Sequence, residues 1–74
     1  MKSYPKKYVV DSIKKNYPVG CRVQLDHMED AYTKIPEGTQ GTVRAVDDIG
    51  TIHVDWDCGS SLGIVHGEDL CHRI

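Results

Sequence analysis

The chain has 74 residues, of which 27% are charged and 39% hydrophobic, and carries a formal net charge of −2. That length allows one domain with a small core and leaves little of it to spare for an internal active-site cavity. No apolar run approaches the roughly 18–20 residues that a membrane helix needs. No apolar segment follows the basic start Met1–Lys7, so a secretory signal is not expected and a cytoplasmic location is.

The first predicted element is a helix over 6–17. Val9, Val10, Ile13 and Tyr17 form one apolar stripe, while Lys7, Asp11, Lys14 and Lys15 fall on the opposite face. Pro5 suits a helix start and Pro18 enforces its end. About a dozen residues are too few for an isolated helix to persist in water, so the stripe needs a surface to pack on.

From Gly20 the hydrophobic period becomes two. Val23 and Leu25 mark a first strand, and residues 26–39 form a long polar loop closed by Pro36-Glu37-Gly38. Thr42–Val46 is a second strand and Asp47-Asp48-Ile49-Gly50 a turn. Ile52, Val54 and Trp56 share one face of a third strand. Asp57-Cys58-Gly59-Ser60 is a tight connection, with Gly59 placed for positive φ. Leu62 and Ile64 share a face of a fourth strand, Gly67–Leu70 reads as a single turn, and Cys71–Ile74 as a last short strand.

Five short strands in under 60 residues must dispose of their edges, and closing the sheet on itself is the compact way to do so. The expected fold is therefore mainly β: a five-stranded SH3-like barrel over 20–74, preceded by a tail and amphipathic helix over 1–19. Gly41 and Gly63 are placed where strands bend or approach closely, and Trp56 should point into the barrel.

Tyr17-Pro18-x-Gly20 through His27-Met28, with Pro36-x-Gly38-Thr39-x-Gly41-Thr42-Val43, resembles a small bacterial family known as domain of unknown function 4314. Val46-Asp47-Asp48-x-Gly50 and Val54-x-Trp56-Asp57-x-Gly59 extend the similarity, which covers about residues 17–74 and leaves the helix outside. Cys58 stands where a polar turn residue is expected. The resemblance implies an SH3-like fold and a bacterial or mobile-element setting. It implies no activity and no catalytic residue.

Several chemistries can be weighed against the residues present. Cys21, Cys58 and Cys71 are odd in number, and with His27, His53, His66 and His72 they show none of the paired spacings of a zinc site. Neither metal nor cofactor is expected, although a fold that paired the terminal strands would bring Cys21 and Cys71 together. Cys71 and His72 are adjacent and point to opposite faces of a strand, so they do not make a nucleophile–base pair. Asp26, Glu29 and Asp30 lack the ligand spacing of a calcium loop. No enzyme activity is expected.

Two binding readings stay open. Protein contact through the long loop is favoured, with His27, Met28, Tyr32 and Ile35 as the residues to test. Against it stands a purely structural role, in which Met28 and Ile35 pin the loop to the core. The alternative is nucleic-acid contact through Lys7, Lys14 and Lys15. It is opposed by ten acidic against four basic residues over 20–74. Free strand edges and the helix stripe permit a monomer or a homodimer.

Overall fold

The computed structural model describes residues 5–29 and 35–74. Helix α1 spans Lys7–Asn16, with Lys14 and Lys15 in its last turn, where positive charge suits the helix dipole. Its apolar stripe does find a surface. Val10 is buried, and Ile13 and Tyr17 pack against the main core.

Five strands follow: β1 (Arg22–His27), β2 (Gln40–Val46), β3 (Ile52–Trp56), β4 (Gly63–Ile64) and β5 (Leu70–Arg73). They form one antiparallel sheet in the order β4-β3-β2-β1-β5. The ladder does not join β4 to β5, so the closed cylinder expected from the strand count is instead an open, bent sheet with two edges. The bending has local causes. A bulge lies between Val43 and Ala45 on β2, and another between Leu25 and His27 on β1.

The two edges are treated differently. Beside β5 lies the end of α1: the Tyr17 hydroxyl donates to the Cys71 carbonyl at 3.4 Å, and Arg73 reaches the Asn16 carbonyl at 3.3 Å. That cover blunts one edge. On the other side, β4 is only two residues long.

Alternation places the core as expected. Val23, Leu25, Val43, Ile52, Val54, Trp56 and Ile64 are buried together, and Ile35 joins them from the far end of the long loop. Trp56 is 3% exposed, and its indole N–H, for which sequence names no acceptor, donates to the Leu62 carbonyl at 2.9 Å. Leu62 shares parity with Ile64, but its side chain is 39% exposed, because β4 begins only at Gly63.

Gly41 is a point of close approach. A Cβ there would lie 2.6 Å from Val54 Cγ1, 2.9 Å from the Asp55 carbonyl and 2.9 Å from Trp56 Cε3. The backbone carbonyl cannot yield without moving the strand, so Gly41→Ala is expected to cost about 1–3 kcal/mol. In a thermal melt that is a drop of roughly 4–24 °C, and an unchanged midpoint would contradict the packing. Gly59 takes the expected positive φ, +93°, in the turn after β3.

Side-chain carboxylates organise the turns and the outer face. Asp47 accepts from the backbone N–H of Ile49 and Thr51, and its other oxygen meets His53 Nε2 at 2.9 Å. Arg22 on β1 grips Asp57 with two parallel bonds and also donates to Thr42 on β2 at 3.0 Å. Among the described residues no helix is long and apolar enough to cross a membrane.

Candidate functional site

The long connection between β1 and β2 leaves the sheet at His27 and returns at Gln40. Its entry packs back on the body through one residue that sequence reading treated only as part of a turn. Asp69, 9% exposed, accepts from the Glu29 N–H at 2.9 Å and from the Val65 N–H at 2.9 Å. The Asp69 N–H in turn donates to the Val65 carbonyl at 3.0 Å, closing the turn before β5. One carboxylate thus fixes the spacing between the start of the loop and the segment after β4. Two charge-assisted bonds to backbone donors are a strong arrangement for so small a domain.

Between those two segments lies a groove of about 330 Å³. Met28 and Glu29 form one wall, Leu62, Gly63 and Val65 the other, and Asp69 lies at its base with Glu68 beside it. Val65 is 36% exposed and Met28 is half-buried against the core, so the groove offers apolar surface to solvent.

Of the loop residues singled out from sequence, Met28 lines this groove. His27 sits beside it, exposed, with Nε2 2.8 Å from Glu29 and Nδ1 3.6 Å from Glu37. Its ring therefore spans both ends of the loop. Ile35 is buried in the core and anchors the loop's return. Tyr32 lies outside the described residues, as does Asp30.

Hydrogen bonding to Glu29 raises the His27 pKa above its ordinary value, slight desolvation opposes this, and the charge of Glu29 and the contact with Glu37 add to the rise. A raised value means that the bridge contributes stability fully below about pH 6.5 and loses it as pH climbs through the folded-state pKa. An NMR titration is expected to place His27 above an exposed peptide histidine. Glu29→Gln should move it back toward that reference, and a His27 titration insensitive to Glu29→Gln would contradict the bridge.

The lysines separate. Lys14 pairs with Asp48 at 3.1 Å, on the flank of α1 that faces the β2–β3 turn. Lys7 shares that flank, in a hollow that also contains Asp11 and Asp48. Lys15 lies roughly 100° further round the helix from Lys14, on its exposed side. The three charges do not form one surface, and two of them are interleaved with acids.

Cys21 and Cys71 are both half-buried against the core, whereas Cys58 is exposed. Burial, then the Asp26 carboxylate and Cys21, push the Cys71 thiol up to about 11. It is therefore protonated at neutral pH and a poor nucleophile. The neighbouring His72 is exposed and its Nδ1 is held by Asp26 at 2.8 Å. Among the described residues no group of three or more His, Cys, Asp or Glu side chains converges in a way that could hold a metal ion.

Sequence reasoning missed Asp69, Leu62 and Val65. The one available signal was an acid two residues after a turn glycine, Gly67-Glu68-Asp69, a position from which a carboxylate can cap nearby backbone donors.

Fold and groove together define a small antiparallel β domain whose long first loop is clamped to the turn before its last strand. The family model Domain of unknown function (DUF4314) matches residues 6–74, and the chain belongs to that family. The match takes in α1, so the family extends further toward the N-terminus than the 17–74 read from motifs. No curated protein and no solved structure matches the chain.

Proposed function

We propose that this chain is a non-enzymatic interaction module of SH3-like architecture that binds a protein partner in the groove between the entry of its long loop and β4. The architecture rests on strand order. A first strand lies between the second and the fifth, a long loop follows the first strand, and a single turn precedes the last. The binding reading rests on one observation: two separate segments are held at fixed spacing by the buried Asp69, leaving an apolar-walled groove open to solvent. A pre-formed groove of this kind avoids the ordering cost that weakens flexible binders. The high pKa of Cys71 and the separation of His72 from it favour binding over thiol chemistry.

The test uses the whole chain carrying a photo-crosslinking residue in place of Met28, exposed to extract of its native host. A captured partner is then purified and its affinity measured directly. Leu62→Asp and Val65→Asp should each weaken binding at least tenfold while the folded spectrum persists. Charge reversal at Lys7, Lys14 and Lys15 together should leave it within twofold. Binding abolished by the lysine reversal and untouched by the groove variants would overturn the proposal in favour of the helix face.

A further inference from the structure

The groove has a feature that its apolar walls alone do not explain: one wall is a sheet edge. Among the described residues β4 is last in the sheet and pairs only with β3. Its register sets Ile52 against Ile64 and His53 against Gly63, and the Trp56 N–H donates to the Ser60 carbonyl. In this antiparallel phase Ile64 directs its backbone groups toward β3, and Gly63 directs its own away from it. Gly63 therefore presents an N–H and a C=O along the side of the groove, while a Cβ at this position would be directed back over β3, 2.8 Å from Thr51 Cγ2.

The surrounding charge is predominantly negative. Glu29, paired with His27, stands on one wall and Glu68 beside the base, and residues 20–74 hold ten acidic and four basic groups. A segment entering here meets three things together: a strand edge, an apolar trough formed by Met28, Leu62 and Val65, and a negative rim.

Building on the interaction reading above, we infer that the groove takes an extended segment of a partner protein as an added antiparallel or parallel strand on β4, with an apolar side chain in the trough and lysine or arginine flanking it. Main-chain bonds to Gly63 supply register, the trough selects an aliphatic residue, and the rim favours basic flanks and rejects acidic ones. Strand addition also sets this mode apart from recognition of a polyproline helix, which needs an aromatic-lined groove.

The probe is a blocked heptapeptide alternating lysine with leucine and valine, titrated into the isotopically labelled full chain and followed by backbone amide NMR. The expected result is saturable shifts at Gly63, Leu62, Val65 and Met28, with slowed exchange of the Gly63 amide. The same peptide with N-methylated central residues, and one with glutamate in place of lysine, should each bind at least tenfold more weakly. Glu29→Lys combined with Glu68→Lys should reverse the preference between the basic and acidic peptides.

N-methylated and unmodified peptides binding equally would overturn strand addition, and so would equal binding of basic and acidic peptides. Shifts at Gly63 and Leu62 that depend on protein concentration alone would assign the groove to a second copy of the chain and overturn the inference. If every peptide fails while the crosslinked partner still depends on Leu62 and Val65, strand addition falls and the interaction module stands. If that partner is also indifferent to Leu62→Asp and Val65→Asp, both fall.

Discussion

Trp56→Ala is expected to abolish cooperative folding at physiological temperature. The indole is 3% exposed among Val54, Ile52 and their neighbours, and its ring edge is the surface against which Gly41 is pressed. Removing a buried aromatic of this size costs about 3–5 kcal/mol in lost transfer energy and cavity. A domain of this length holds only about 4–11 kcal/mol in total. The loss therefore consumes from about a quarter to all of the stability. Trp56→Phe retains most of the ring but gives up the bond to the Leu62 carbonyl, so it should cost less, about 1–2 kcal/mol. Urea denaturation followed by circular dichroism separates the two. A cooperative Trp56→Ala transition with a near-native midpoint would show that the core does not depend on this residue.

Asp69→Ala has the second largest expected effect, for a different physical reason. No cavity of consequence is made, but the N–H groups of Glu29 and Val65 lose their acceptor in a site closed to much of the solvent. Leaving such donors unpaired costs about 2–4 kcal/mol for the two together. Asp69→Asn offers one carbonyl oxygen and turns an amide toward the other donor, so it should recover only part of this. The consequence is local before it is global. Amide exchange at Glu29 and Val65 should accelerate more than at Val43 or Val54, because the loop entry and the turn before β5 come apart while the sheet persists. Uniform acceleration across the chain would mean that Asp69 is a general stabiliser and not the clamp of the groove.

Different physical rules decided which parts of the fold were legible in the sequence. Val23 and Leu25, and Ile52, Val54 and Trp56, alternate because one face of each strand meets the core, and that rhythm is local. The stripe of Val10, Ile13 and Tyr17 is local too, and it identified α1. Closure of the sheet was not legible, because it depends on whether β4 meets β5. That is set by tertiary position, which a local two-residue rhythm does not carry.

The site was less legible than the fold. Met28 was placed in the loop and does line the groove, and Ile35 took the core-anchoring role weighed against partner contact. Asp69 was hidden, because its partners Glu29 and Val65 belong to different segments, and no spacing rule links residues 40 positions apart. Lys14 was assigned to the outward face by the helical wheel. Its long side chain reaches Asp48 instead, a contact set by tertiary position. Leu62 matched the parity of a buried strand residue but lies just before the strand begins, and parity holds only where pairing holds.

Hydrogen-exchange footprinting of the whole chain with its purified, crosslink-identified partner tests most directly that the groove is the surface that meets a partner. Protection concentrated at residues 28–29 and 61–65, with the exposed side of α1 around Lys15 exchanging as in the free protein, is the predicted pattern. Protection along α1 with none at Gly63 or Val65 would contradict it.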